Sequence, residues 1–559
     1  MAVSAIASTA IKKAYDIIIV GGGHNGLVSA SYLARNGLRV LVCEKRWIIG
    51  GAACTEEIIN DFKFSRASYL MSLFRPIIIN DLELKKHGLK YYFRDPSSYT
   101  PLKQPISREK RSLLLSQNDE FNAKQIANFS HADAQNYQKY EHWLQKMSDS
   151  IQVLLDTSPP DLQTTNKQFT YRRIKSWTQL LTVYKNMLKH LKLSGSLDFY
   201  QLLTGSVSKV LDRWFECEIL KATLATDGLI GAWCYVEGGM GALSECIASS
   251  ARSSGVEIRM NCPVKEVNIK NSKVTGVILE NGEEIESNFV ASNATAFSTF
   301  NHLISPNIIE NNDELRELKR YITSGDYTSG TTKINLALKG IPNFTVDPNT
   351  TSSGIMPHHQ CTIHLNTETM GSLQGAYIDA LNGKPSQQPM IEMVGISEQI
   401  PVIPSVLDHT LAPNNCHVAL LFTQYTPYRL LNGQKIVMSE KDKNDYYRTI
   451  INSIEQYAPG FEKLIVGKDM LFPQDLEKEF SLEGGNIFHG ALSLDQLYAF
   501  RPSSSCSSYR TPIDGLYLCG SSTHPGGGVT GAPGRLAALT MIQDWKRKKL
   551  FKKGKKQLF

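Results

Sequence analysis

The chain has 559 residues, 42% apolar side chains and six Trp, so it is a globular protein too long for one core, and two or three lobes are expected. No apolar run approaches the ~18–20 residues needed to cross a bilayer, so an integral helical membrane protein is not expected. The formal charge of +7 belongs to residues 546–559, KRKKLFKKGKKQLF, with eight Lys/Arg and no acid; the rest holds 52 basic and 53 acidic residues, and this neutral body predicts no specific nucleic-acid partner.

The first residues, MAVSAIASTAIKKAY, are rich in Ala, Ser and Thr and lack an acid before Asp16, which resembles a short organelle presequence without Arg. Residues 1–13 are the expected targeting segment. Tyr15–Glu44 then reads as a strand (Asp16–Val20), a glycine-rich turn, a helix from about Asn25 to Asn36, a second strand (Arg39–Cys43) and an acid. Gly21, Gly23 and Gly26 form G-x-G-x-x-G, which suits a tight turn, approach of the backbone to a pyrophosphate and close helix–strand packing. The helix N-terminus offers N–H groups and a positive dipole end to phosphate, and Glu44 is placed to accept from ribose hydroxyls. Arg46, Gly50 and Gly51 follow beside the bound nucleotide.

Residues 61–235 read as a separate, largely helical insertion, with helical spacing over Tyr137–Leu155 and again, with basic residues, over Trp177–Leu191. The latter reads first as an ordinary surface helix and second as a membrane-facing one. Residues 264–286 read as a β-meander turning at Asn271-Ser272 and at Asn281-Gly282, a type I′ signal. Thr332–Leu338 and His417–Tyr425 are strand-like, Lys441–Tyr457 is helical, and Ile400–Pro404 is a Pro-rich loop. A strand at Gly515–Cys519 leads into the glycine-rich turn Gly520–Gly534 and a helix from about Arg535. N–H groups in that turn suit an anionic or reduced ring system.

The blocks GGGHNGL (Gly21–Leu27), GGM (Gly238–Met240) and THPGGGVTGAPG (Thr523–Gly534) resemble the phytoene desaturase and retinol saturase-type flavoproteins, whose superfamily includes the amine oxidases. Glu44–Ala53, Phe62–Leu70, Asp81–Leu89 and Asn486–Leu497 are similar to the animal mitochondrial branch of that family. The resemblance runs from Tyr15 to about Trp545. It implies an α/β fold with a discontinuous FAD-binding Rossmann-like domain of the glutathione reductase type 2 or amine oxidase kind (14–60, 236–300 and 485–545). An inserted α+β substrate domain (61–235 and 301–484) and a basic tail (546–559) complete the expected division.

By the same resemblance the cofactor is FAD rather than NAD, held by Gly21, Gly23 and Gly26 at the pyrophosphate and Glu44 at the ribose. Arg46, Gly50 and Gly51 line it, Val264 contacts the adenine through its backbone, and Gly520 and Gly528, Val529, Thr530, Gly531 and Ala532 lie at the flavin end. His524 is the first candidate for proton transfer, with His489 and His24 behind it. Lys333 reads as a rim or salt-bridge residue, and Arg501 and Tyr509 as packing residues that also suit orientation of substrate or flavin. No metal site is expected.

Ten cysteines with no C-x-x-C argue against a disulfide relay: Cys54 stands near the place such enzymes use, but its partner position is Ile59. Cys519, at a strand end in an apolar run, argues against a covalent flavin link.

The expected activity is FAD-dependent oxidation, saturation or isomerisation of a hydrophobic small molecule. The alternatives are an FAD-bearing regulatory or scaffold protein at a mitochondrial membrane and, third, an amine oxidase, for which no aromatic pair is assignable. Expected partners are the substrate, an anionic membrane surface at residues 546–559 and a mitochondrial protein. The expected location is the mitochondrial matrix or its inner membrane, with the cytoplasm as the alternative.

Overall fold

The computed structural model describes residues 15–161, 169–227, 234–351, 354–394 and 410–557. The expected targeting segment 1–13 and the loop Ile400–Pro404 lie outside the described residues.

Ile17–Val20 is uninterrupted aliphatic sequence, which favours a strand covered on both faces. It is the centre of a five-stranded parallel sheet in the order Leu516–Leu518, Val290–Ser292, Ile17–Val20, Val40–Cys43, Glu257–Arg259. Helices His24–Arg35, Gly239–Ser253 and Ala532–Gln557 cover one face, burying Ile17, Ile19, Val40 and Val42 with Leu27, Leu243 and Leu536. The meander Val264–Lys270, Lys273–Leu279, Glu284–Glu286 and the helices Ala296–His302 and Asp313–Thr323 close the other. Of the two meander turns, Asn271 and Ser272 carry positive φ at both positions (52° and 57°), the condition for type I′. At Asn281-Gly282 only Gly282 does (φ 86°), so the Asn-Gly pair marks a hairpin of another type.

A seven-stranded sheet forms the second layer system: Ile465–Leu471, Thr331–Leu338, His417–Gln424, Met390–Val394, Thr362–Leu365, Ser98–Pro101, Ser112–Leu115. All its pairings are antiparallel except Thr362–Leu365 with Ser98–Pro101. One face packs Ile334, Leu336, Met393 and Leu421 against Tyr446, Ile450 and Ile454 of the helix Glu440–Glu455. Its start is fixed by a capping box between Ser439 and Asp442.

Helices His131–Leu155 and Phe169–Thr204 pair, and Tyr140 and Trp143 of the first also pack on Trp214 and Phe215. Two expectations need correction. Residues 61–235 are not a separate helical unit, because Ser98–Pro101 and Ser112–Leu115 extend the seven-stranded sheet. The basic run from Lys546 is a continuation of the last helix rather than a separate tail: Lys and Arg favour helix, and the helix runs through the one glycine, Gly554, to Gln557. That helix begins at Ala532 rather than Arg535, with Pro533 in its first turn, where a missing N–H costs little.

Candidate functional site

Gly21, Glu44, Asn293 and Gly520 directly follow or lie one residue past the carboxyl ends of four parallel strands, the place where open α/β sheets bind ligands. Gly21 turns with φ 100°, and a Cβ on Gly26 would lie 2.3 Å from the Gly21 carbonyl oxygen. A Cβ on Gly23 would meet Asn293 Nδ2 at 2.8 Å. Gly23 caps His24–Arg35 without a side-chain bond, leaving the first N–H groups of the helix to an anion.

Glu44 is 5% exposed, and its carboxylate accepts from the N–H groups of Gly22 (2.6 Å) and Arg46 (2.9 Å). Gly50 donates its N–H to the Gly22 carbonyl, which sets Gly50-Gly51 beside the turn. Cys262 N–H bonds the Glu44 carbonyl, which brings Val264 to the same end. The guanidinium of Arg46 turns elsewhere: it pairs with Glu56 at 2.8 Å and Glu479 at 3.3 Å and lies over the Phe480 ring. Its contribution here is therefore its backbone N–H.

The closing turn docks onto the opening one. Asn25 Nδ2 donates to Ser521 Oγ at 2.9 Å, and a Cβ on Gly534 would stand 2.1 Å from the Asn25 carbonyl oxygen. The N-terminal ends of His24–Arg35 and Ala532–Gln557 thus converge. Gly528 and Gly531 have positive φ, and their Cβ directions are filled by Leu73 and by Phe74 and Ile78, so packing against this segment already requires glycine there. Val529 and Thr530 are buried beside them, and Ala532 N–H donates to Thr530 Oγ1.

Three histidines gather around this junction, all held neutral by burial. His524 is pushed down to about 4, His24 to about 4 and His489 to about 3, with the Arg501 charge adding to the effect on His524 and His489. His524 Nε2–H donates to the Leu154 carbonyl (2.8 Å), which fixes the tautomer and leaves Nδ1 unprotonated. That Nδ1, His24 Nε2, Asn25 Oδ1 and His489 Nδ1 are buried without a hydrogen-bond partner. Buried polar atoms are rarely left so, and here they surround a phosphate-binding turn. Glycine N–H donors, the Glu44 carboxylate and these orphaned atoms fit a dinucleotide. Arg501 is 1% exposed, and its guanidinium donates to the carbonyls of Phe488, His489, Ala491, Gln496 and Ser521. It ties the His489 loop to the closing turn. Tyr509 O–H donates to the His524 carbonyl at 3.0 Å, so both residues position this histidine.

Lys333 is neither a rim residue nor a salt-bridge partner. It is 2% exposed, and its Nζ donates to Asn335 Oδ1 (3.0 Å) and lies 5.0 Å from the Tyr69 ring centre. Burial pushes its amine down to about 7. Lys333, Phe422, Glu392 and His364 stand opposite one another on four adjacent strands, so they share the sheet face turned away from Glu440–Glu455. Tyr69 O–H donates to Glu392 at 3.4 Å. Five residues along, Phe74 packs on the closing turn, so one stretch of chain touches both this polar face and that turn. Tyr69, Glu392 and His364 escaped the sequence reading, although polar residues at alternate positions of otherwise apolar strands were a usable signal.

All ten cysteines are free. Burial, with Glu56 beside it, pushes the Cys54 thiol up to about 12, and burial does the same to Cys519. Cys43 and Cys262, far apart in sequence, are neighbours in the core, and the Cys43 thiol draws that of Cys262 below its ordinary value. Among the described residues no group of His, Cys, Asp and Glu is arranged to hold a metal.

Fold and site together define a dinucleotide-dependent oxidoreductase. A family model described as an NAD(P)-binding Rossmann-like domain matches residues 19–81. The chain is 46% identical to the pyridine nucleotide-disulfide oxidoreductase domain-containing protein 2 of Rattus norvegicus, over 97% of this chain and 95% of that protein. It is 24% identical to the lycopene-forming phytoene desaturase of Pantoea ananas, over 94% of this chain and 99% of that one. An oxidoreductase from Methanosarcina mazei shares the fold, with a TM-score of 0.51 at 14% identity, covering 94% of this chain and 99% of the other. The chain belongs to the family of the pyridine nucleotide-disulfide oxidoreductase domain-containing protein 2, among the FAD-dependent oxidoreductases.

Proposed function

We propose that the protein uses FAD to desaturate, saturate or isomerise a hydrophobic small molecule at a carbon–carbon bond. The convergence of two helix N-termini on a glycine cradle beside a buried polar sheet face supports this reading. Bound FAD would supply the two-electron acceptor or donor. In this reading Gly21, Gly23 and Gly26 take the pyrophosphate, Glu44 the ribose, and the backbone of Val264 the adenine. Gly50, Gly51 and the backbone of Arg46 flank it, and Gly520 with Gly528–Ala532 lies at the ring end. In the same reading His524, whose Nδ1 is unprotonated, receives a proton from carbon, and His489 is the second candidate. The lycopene-forming desaturase among the relatives favours an apolar substrate.

A mitochondrial matrix setting, contact of the basic helix end from Lys546 with anionic lipid, and a mitochondrial protein partner are part of the same proposal. The acid-free residues 1–15 and the eight cations of 546–559 motivate it.

The test is an absorbance spectrum of the purified protein before and after release of its chromophore by acid or heat. Flavin bands, FAD in the supernatant and anaerobic bleaching by an apolar substrate are expected. A colourless protein that FAD cannot reconstitute would overturn the proposal.

A further inference from the structure

Seven of the 24 large hydrophobic residues exposed among the described residues fall between Trp177 and Val207, on or just after the long helix Phe169–Thr204. Such a concentration calls for a partner. Trp177, Leu181 and Tyr184 are 54%, 64% and 59% exposed, and their i, i+4, i+7 spacing lines them along one side of the helix. Val183, about 120° around the helix from this stripe, is 4% exposed, so the helix rests on the protein along that line and not along the stripe.

The patch overhangs its neighbour. Trp143 Nε1 donates to Asp198 Oδ2 at 3.3 Å, and Met147 packs near Gly195. Counting along the two antiparallel helices from these contacts sets Leu155 level with about residue 187, so Trp177 lies ~15 Å past the end of His131–Leu155. That end is the one whose Leu154 carbonyl holds His524. The exposed side therefore projects from the same end of the helix pair as the closing turn.

The charge of the segment narrows the partner. From Phe169 to Leu197 there are six Lys/Arg and no Asp or Glu, and Lys185 and Lys189 are exposed one turn apart beside the apolar stripe. A second copy would set like charges against one another. Trp and Tyr flanked by Lys on a helix of low overall hydrophobicity is the composition of an element that lies in a lipid interface, and no helix among the described residues is long and apolar enough to cross a membrane. We infer that Trp177, Leu181 and Tyr184 seat this helix on an anionic bilayer surface, beside the end of the molecule that carries the closing turn. This surface belongs to a different helix from the basic end of Ala532–Gln557, and it would let an apolar substrate pass from lipid to the site without crossing water.

The test is co-sedimentation of the full chain with vesicles, either pure phosphatidylcholine or equal parts phosphatidylcholine and phosphatidylglycerol. The wild type should pellet with the mixed vesicles. The W177S/L181S/Y184S variant should lose at least about tenfold in partitioning. K185E/K189E should lose binding to the mixed vesicles selectively, and a chain ending at Trp545 should still bind. Bound-flavin absorbance and sedimentation coefficient, measured in parallel, should match between wild type and triple variant, which separates this outcome from failure of the FAD reading. Equal pelleting of wild type and triple variant would overturn the inference. So would a wild type that ignores both vesicles, or a patch variant that converts a dimer to a monomer.

Discussion

Lys333 shows how much one residue can depend on its surroundings. A lysine on a strand is ordinarily a surface residue, yet this amine lies within the sheet, with Asn335 as its hydrogen-bond partner. Its titration gives a prediction with a definite sign. The ordinary value is 10.5 and the folded value about 7. Between them the unfolded chain holds a proton that the folded chain has released, so protons favour unfolding. The cost of the buried ammonium is full below about pH 7 and fades as pH rises toward 10.5. A K333M variant, which has no ammonium to bury, should exceed the wild type most at neutral pH or below. The gap should close toward pH 10, with an upper bound of about 5 kcal/mol at ~1.4 kcal/mol per pH unit. Denaturant midpoints of both proteins across that range measure it. A gap that is constant or widens with pH would show that the amine is charged in the folded protein.

At the scale of elements, the approach of His24–Arg35 to Ala532–Gln557 is decisive. Gly534 allows it, since a Cβ there would overlap the Asn25 carbonyl. A G534A variant should separate the helix ends, costing about 1–3 kcal/mol of stability and weakening dinucleotide binding more than a surface Gly→Ala. Paired thermal melts and flavin titrations of G534A and G37A make the comparison, because Gly37 has open space around it although its φ is also positive (83°). Elements with strong local signals were legible in the sequence: the opening β–turn–α–β, the meander and the closing turn all stand where turn chemistry and apolar period put them. Ser98–Pro101 and Ser112–Leu115 were not, because each is four residues long, and the pair joins the sheet only where Ser98–Pro101 meets the distant Thr362–Leu365. The site divides similarly. Gly21, Glu44 and Gly520 declare themselves through local motifs, whereas the row Lys333, Phe422, Glu392, His364 exists only once four strands are in register.

On the scale of the whole molecule, the parallel sheet takes its strands from three stretches far apart in sequence, and the last contributes an edge strand and its covering helix. Leu536, Ala537, Ala538, Met541 and Ile542 are buried in the main core, whereas Lys548 lies over the Phe289 ring and pairs with the exposed carboxylate of Asp514, a pair of the kind worth about 1 kcal/mol or less. The helix thus has an inner part that completes the dinucleotide lobe and an outer part that adds charge. Ending the chain at Trp545 should leave the thermal midpoint and flavin content nearly unchanged. Ending it at Asp514 removes Leu516–Leu518, Gly520 and the second helix N-terminus, and should abolish both flavin binding and cooperative unfolding. A ligand that spans all three stretches should also stabilise them as one unit. FAD at a hundredfold over its dissociation constant adds about 2.7 kcal/mol, and that gain should appear in the wild type and the Trp545 truncation alike. Thermal melts with and without FAD on the three chain lengths decide the point. If the Asp514 truncation still binds FAD and melts in one step, the last strand and helix are accessory to the lobe, and the convergence of helix ends is not what holds the cofactor.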